Sequence, residues 1–272
     1  MPSTSWLPEA AASPQAARFG AALHDALRQR RTLAPLSGLG LGLGIDDAYA
    51  ISLELLRRRL ADGEKVVGKK IGVTSKVVQD MLGVHQPDFG FLTDAMAVAP
   101  GEVIDIKGRG LIQPRAEAEI AFLLRSALVG PGVTEADVLA ATEAVAPCFE
   151  IVDSRIADWK IGIVDTVADN ASSGVFVIGE ARADPLQLDL PGLHVSVTKN
   201  GNFLSEGHGA AALGSPLTAV AWLANTLGRY GVPLNAGEVV LSGSLVPLEP
   251  AAAGDVFEMN LEGVGSCRAA FC

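Results

Sequence analysis

Cysteine is scarce in this 272-residue chain. Cys148, Cys267 and Cys272 are odd in number and lack metal-ligand spacing. That excludes a disulfide framework or a thiolate cluster and predicts buried or incidental reduced thiols. Positive charge is short as well. Lysine and arginine number 21 against 31 acids, a formal net charge of −10, so no basic face is on offer for nucleic-acid phosphates. No window reaches about 18 unbroken apolar residues, and no membrane span is expected. The opening "MPSTSWLPEAAASPQ" has neither a basic stretch nor an apolar one after it, so no secretory signal is read there and a cytoplasmic protein is expected. No internal repeat or low-complexity tail is found.

What is present is a 49% hydrophobic composition, enough for a sizeable core. Ser13-Pro14 reads as the cap and first residue of a helix carrying Phe19, Leu23, Ala26 and Leu27 at helical spacing. A second helix is expected from near Asp46, with Tyr49, Leu53, Leu56 and Leu60 on its buried side. Between them, "LSGLGLGLGIDD" has alternate glycines, but no strand precedes it and no phosphate-loop pattern fits, so it reads as a flexible linker. From residue 65 short alternating segments take over: "KVVGKKIGV", "EVIDI", "AEAEIAFLL", "CFEIV", "GVFVIG", "LHVSVTKNGNFLS", "EVVLSG", "DVFEMNL" and "SCRAAF". Asn200-Gly201 marks a hairpin. Two helices interrupt the series, "EADVLAATEAV" after Thr134 and "SPLTAVAWLANTLGRYG", capped by Ser215 and Gly231. The expected class is α+β, with a helical region over 1–64 and a β-rich catalytic domain over 65–272. The order does not alternate strand and helix, which disfavours a Rossmann fold or TIM barrel.

"PRAEAEIAF" places Glu117 and Glu119 on one face of a strand, opposite Ala118, Ile120 and Phe122. Like charges side by side repel, and burial is costly unless something pairs with them. Glu150 in "CFEIVDSR" lies on another predicted strand. Two readings stand: a solvated acidic face, or three carboxylates converging on a hard cation such as Mg²⁺ or Mn²⁺. "GKKIGVTSK" points Lys69 and Lys70 to opposite faces, either as surface lysines or with one turned inward for substrate, proton transfer or a Schiff base. "HQPDFGFLTD" holds His85, Asp88 and Asp94 in a turn-rich loop. "DTVADNASSG" and "SGSLVP" carry short hydrogen-bonding side chains that either cap backbone or line a pocket.

Taken together, "GKKIGVTSK", "MLGVHQPDFGFLTDAM", "IQPRAEAEIAF", "CFEIVDSRIADWKI", "DTVADNASSG", "GAAALGSPLTAVAWLANTLG" and "AGEVVLSGSLVPLEP" resemble the hydratases of the fumarylacetoacetate hydrolase superfamily, from about residue 20 to 271. The resemblance implies a mixed β-sandwich roll behind a small helical N-terminal part. It implies a divalent cation, Mg²⁺ or Mn²⁺, on Glu117, Glu119 and Glu150, with Lys70 and Asp88 beside the 2-oxo acid end of the substrate. Ser172 and Ser244 are assigned to substrate binding. The implied reaction adds water to 2-hydroxypenta-2,4-dienoate, giving 4-hydroxy-2-oxopentanoate in meta-cleavage catabolism of aromatics. A homo-oligomer is expected, as is association with a decarboxylase or aldolase of the pathway. Competing expectations are a decarboxylase of the same superfamily acting on 4-oxalocrotonate, a Schiff-base lyase using Lys70, and a scaffold subunit. Arg115 and Lys160 are the nearest basic candidates for a second carboxylate, and the diacid 2-oxohex-3-enedioate is expected to be a poor substrate. His208 stands where a small residue is expected and is assigned no role.

Overall fold

A computed structural model describes residue 7 and residues 13–75, 79–80, 84 and 86–272. Ser13 accepts a hydrogen bond from the Ala16 amide at 3.1 Å and opens α1, Pro14–Gln29. The second helix, α2, spans Ile45–Ala61 and buries Tyr49, Leu53 and Leu56 as its periodicity predicts. The glycine-rich connection between them is anchored at its start. The Ser37 amide and hydroxyl both donate to the Asp165 carboxylate, at 3.1 and 2.5 Å.

Among the described residues the body is built on thirteen strands: β1 Val66–Gly72, β2 Asp88–Thr93, β3 Ala97–Val98, β4 Val103–Ile104, β5 Arg115–Leu124, β6 Thr142–Val152 and β7 Ser173–Ile178, followed by β8 His194–Lys199, β9 Asn202–His208, β10 Val239–Leu241, β11 Glu249–Pro250, β12 Val256–Leu261 and β13 Gly265–Phe271. Further helices among the described residues are α3 Glu135–Ala141, α4 Ile163–Ala168 and α5 Pro216–Gly228. The larger, eight-stranded sheet runs β2-β1-β10-β5-β6-β7-β3, with β11 also pairing β5. The smaller runs β4-β13-β12-β8-β9. Both are mixed, since β1–β10, β3–β7 and β4–β13 are parallel among antiparallel pairs. The sheets meet face to face where Phe149 of β6 packs edge-on against Phe257 of β12, with ring centroids 6.3 Å apart. One apolar core runs from Phe19, Leu23 and Tyr49 of the helices into both sheets. This α+β arrangement agrees with the expected class.

Local chemistry explains most boundaries. Asn200 and Gly201 both take positive φ (55° and 77°) and close the β8–β9 hairpin. The Gly231 amide donates to the Gly228 carbonyl and the Val232 amide to the Leu227 carbonyl, so Gly231 ends α5 by a left-handed reversal. The segment Gly209–Gly228, which ends in α5, is apolar, with mean hydropathy 1.2 over an 18-residue window of which half is buried inside the fold, as suits a core helix.

Three expectations need correction. The helix after Thr134 stops at Ala141, and "TEAV" opens β6, because the ladder to β5 captures β-branched Thr142 and Val145. "DFGFLT", read as loop, is the buried edge strand β2, paired to β1 along its length. Neither lysine of "GKK" is at the surface. Lys69 is wholly buried and donates to Glu238, which also accepts from the Asn235 amide and side chain.

Candidate metal centre

Strand alternation sets Arg115, Glu117 and Glu119 on one face of β5, while Ala116, Ala118 and Ile120 enter the core on the other. The antiparallel register puts Glu150 of β6 directly opposite Glu117. One carboxylate oxygen each from Glu117, Glu119 and Glu150 lies within 4.8 Å of the others. Water does not dissipate that repulsion, because Glu119 and Glu150 are fully buried. Two of the acids spend one oxygen on the protein and keep the other bare. Glu119 Oε2 accepts from the Gly243 amide at 2.8 Å, and Glu150 Oε1 accepts from the Ser173 hydroxyl at 2.9 Å. Glu119 Oε1, Glu150 Oε2 and Asp88 Oδ1 have no hydrogen-bond partner, though all are buried. Orphaned buried carboxylate oxygens are expensive. A cluster of them with no nitrogen or sulfur donor fits a hard divalent cation.

The lysine and the aspartate come from the paired strands β1 and β2, across β10 from β5. β1 directs Lys70 into the cluster, with its Nζ 3.5 Å from Glu150 Oε2 and 4.0 Å from Asp88 Oδ1. Asp88 is the register partner of Gly72 across β1–β2. A Cβ at Gly72 would collide with the Asp88 carboxylate and crowd Lys70 Nζ, so only glycine allows this approach. Without a cation, burial pushes the Glu117 carboxyl up to about 8, helped by Glu150 and opposed by Lys70. Burial raises Glu119 well above its ordinary value, with Glu150 and Glu117 adding to it, and raises Glu150 against the pull of Lys70. Burial alone would discharge Lys70, but Glu150, Asp88, Glu117 and Glu119 overcome it and raise its ammonium above the ordinary lysine value.

Lys70, Asp88 and Glu117 form part of the wall of a cavity of about 110 Å³, together with Arg115, Trp159 and Ser172. A left-handed turn brings Ser172 there. Asn170, Ala171 and Ser172 all have φ between 51° and 55°, a conformation costing about 1 kcal/mol or more per non-glycine residue. Its supports are specific. Asn170 Oδ1 accepts from the Phe91 amide at 2.7 Å and its Nδ2 donates to the Phe91 carbonyl at 2.9 Å. Arg155, also buried, donates to the Asp169 carboxylate at 2.6 Å and to the Ser173 carbonyl at 2.9 Å. Burial lifts the Asp169 carboxyl to about 6 even against that guanidinium. Asp153 holds the approach to β5 by accepting from the amides of Ile112 and Gln113.

Sequence reasoning did not single out Arg155, Asp169, Asn170 or Trp159. Their only signal was membership of "VDSRIADWK" and "VADNAS". Ser244 is not among the cavity-lining residues, and its hydroxyl donates to the Val246 carbonyl at 2.7 Å. Asp94 accepts from the Lys65 amide at the surface. His85 lies outside the described residues. His208 ends β9 in the other sheet, its ring 5.1 Å from that of His194.

The profile of the fumarylacetoacetate (FAA) hydrolase C-terminal family matches residues 66–271. A 2-hydroxyhexa-2,4-dienoate hydratase of Comamonas testosteroni is 63% identical over 93% of this chain and 96% of its own. A 2-hydroxypent-2,4-dienoate hydratase of Pseudomonas putida is also 63% identical, over 79% of this chain and 96% of its own. Among solved structures, the 4-oxalocrotonate decarboxylase from Pseudomonas putida G7, complexed with magnesium and adipate, superposes with a TM-score of 0.91. It is 36% identical and covers 95% of this chain and 97% of that one. With its mixed double-sheet fold and paired-strand acid cluster, the chain belongs to the fumarylacetoacetate hydrolase family.

Proposed function

We propose that this chain is a 2-oxopent-4-enoate hydratase, a metal-dependent hydro-lyase that adds water to 2-hydroxypenta-2,4-dienoate and yields 4-hydroxy-2-oxopentanoate. The observation that carries this reading is the set of bare oxygens on Glu119, Glu150 and Asp88 beside the Lys70 ammonium, in a cavity sized for a small acid. The hydratase names of the 63%-identical relatives support it, and with them a place in meta-cleavage catabolism. Glu117, Glu119 and Glu150 would hold Mg²⁺ or Mn²⁺, which supplies Lewis-acid polarisation of the 2-oxo acid end. Lys70, paired with Glu150, would bind the substrate carboxylate and deliver a proton to C5, and the proton released by the dienol's 2-hydroxyl would return to it as the conjugated ketone forms. Asp88, 4.0 Å from Lys70, would take one proton of the water that attacks C4 and return it to C3. Ser172 orients the substrate from the left-handed turn.

Imine chemistry needs a neutral amine, whereas the Lys70 Nζ faces the Glu150 carboxylate at 3.5 Å and Asp88 at 4.0 Å. The decarboxylase reading is favoured by one observation, the TM-score of 0.91 to a 4-oxalocrotonate decarboxylase. Substrate in heavy-oxygen water separates the two. Hydration places the label at C4 of the five-carbon product, whereas rapid CO₂ release from 2-oxohex-3-enedioate with no label at C4 reverses the assignment. Borohydride with substrate should leave the protein mass unchanged. A homo-oligomer fits the exposed Phe203 and Val129, and light scattering should give a mass above 28.1 kDa. Association with a pathway decarboxylase or aldolase is part of the same proposal and would show as a shift in that mass on mixing.

A further inference from the structure

His194 and His208 take no part in the chemistry above, and the fold sets them against each other on the smaller sheet. They are register partners across β8–β9. Val195 and Val197 of β8 enter the core, so strand alternation turns His194 outward. The two imidazole centroids lie 5.1 Å apart. Gly207 and Gly209 flank His208, and a Cβ on either would strike the carbonyl of Leu245 or Leu190. The backbone that carries His208 is therefore seated against its neighbours.

Two carboxylates complete the group. Glu206 lies two residues before His208 on β9, and its Oε2 is 3.3 Å from His194 Nε2. Glu262 follows β12, which flanks β8 on the side away from β9. Its amide donates to the His194 carbonyl at 2.9 Å, and its Oε2 is 3.8 Å from His194 Nδ1. Among the described residues no lysine or arginine pairs with either glutamate. Two neutral imidazoles and two carboxylates thus present two negative charges, the complement of a divalent cation.

The distances have the dimensions of a tetrahedral nitrogen–oxygen site. Ligand atoms about 2.0–2.1 Å from such a cation stand about 3.3–3.4 Å apart. His194 Nε2 and Glu206 Oε2 have that spacing. Two imidazoles on one tetrahedral cation hold their ring centroids about 5 Å apart, as this pair does. Glu262 sits on the Nδ1 side, from which an outer carboxylate fixes the tautomer that leaves Nε2 to ligate. Among the described residues only the acid cluster has three donors already within 4.8 Å of one another. The second group closes by a flip of the exposed His208 ring, which moves its nitrogens and leaves its centroid in place.

We propose that His194, His208 and Glu206, oriented by Glu262, form a second cation site for borderline divalent ions of the Zn²⁺ class, separate from the acid cluster. Imidazole donors suit Zn²⁺ and not Mg²⁺, whereas the all-oxygen cluster suits Mg²⁺. A cation there joins the edge strand β9 to β8 and clamps the hairpin at the end away from Asn200-Gly201. The site does not depend on the hydratase reading.

The test is calorimetric titration of the full chain with Zn²⁺ in saturating Mg²⁺, which keeps the acid cluster filled. Wild type should take up one Zn²⁺ at micromolar concentration that added Mg²⁺ does not displace. His194→Ala and His208→Ala should each weaken that uptake by about 10-fold or more, and Glu262→Gln by about 10-fold, the lower end for an outer partner. If His194→Ala does not fold, His208→Ala carries the test. Uptake that both histidine variants retain at full affinity, uptake that falls in step with added Mg²⁺, or none below millimolar Zn²⁺ overturns the proposal.

Discussion

Lys69 and Lys70 are neighbours on one strand, both buried, and the alternation of the strand sends them into opposite kinds of surroundings. Lys69 meets Glu238, whose carboxylate is also held by Asn235, so charge is matched and the oxygens are satisfied. Lys70 meets four carboxylates, three of which carry an oxygen with no hydrogen-bond partner. The first arrangement holds β1 in its place beside β10. The second is incomplete as protein alone and is completed by a cation and a substrate. Burial of charge is common to both, so unsatisfied oxygens are what mark the functional face.

The sharpest way to break this contrast is on the Lys70 side. Glu119→Gln should lower affinity for Mg²⁺ by more than about 100-fold, exceeding the loss typical of outer-sphere partners, with turnover falling alongside. Titration calorimetry and rate assays check it. On the Lys69 side the loss should be of stability. Lys69→Met leaves Glu238 buried without its counter-charge and should cost about 3–5 kcal/mol in urea unfolding. Lys70→Met should instead abolish turnover, and the stability it loses through Glu150 and Asp88 should be recovered in part by Mg²⁺, whereas the loss in Lys69→Met should not. A neutral Lys69→Met would erase the distinction.

Gly72→Ala probes the contact between strand and site. The added methyl meets Asp88, so a loss of about 1–3 kcal/mol is expected, together with a drop in kcat that circular dichroism shows is not global unfolding.

A further probe is the pH dependence of the metal-free protein. The Glu117 carboxyl is raised from its ordinary 4.5 to about 8, so the folded state holds a proton that the unfolded chain has released. Stability from this group is therefore full below about 4.5 and is lost as pH rises through about 8. Asp169, raised to about 6, acts in the same direction. Thermal midpoints should fall between these limits, by roughly 2–4 °C for each kcal/mol lost. Saturating Mg²⁺ should flatten the profile, because it binds the ionised form.

Local rules made much of this legible from sequence. Ser13 and Ser215 cap their helices, Asn200-Gly201 turns its hairpin, and the spacing of Glu117 and Glu119 fixes one face of a strand. Glu150 could be placed on a strand, yet its register opposite Glu117 came only with the fold. What stayed hidden depends on distant partners. Lys69 looks like a surface residue until Glu238 arrives from far along the chain. "DFGFLT" carries turn-forming Asp and Gly, and only β1 makes it a strand. Three successive left-handed residues at 170–172 contradict local preference and persist because Asn170 and Arg155 brace them.

The central claim is that the acid cluster completes itself with a divalent cation on which hydration depends. Chelator-stripped protein should be inactive on freshly generated 2-hydroxypenta-2,4-dienoate, and titrating Mg²⁺ back should restore 4-hydroxy-2-oxopentanoate formation along the same curve as cation binding. Full activity in stripped protein, with no metal found by elemental analysis, would contradict it.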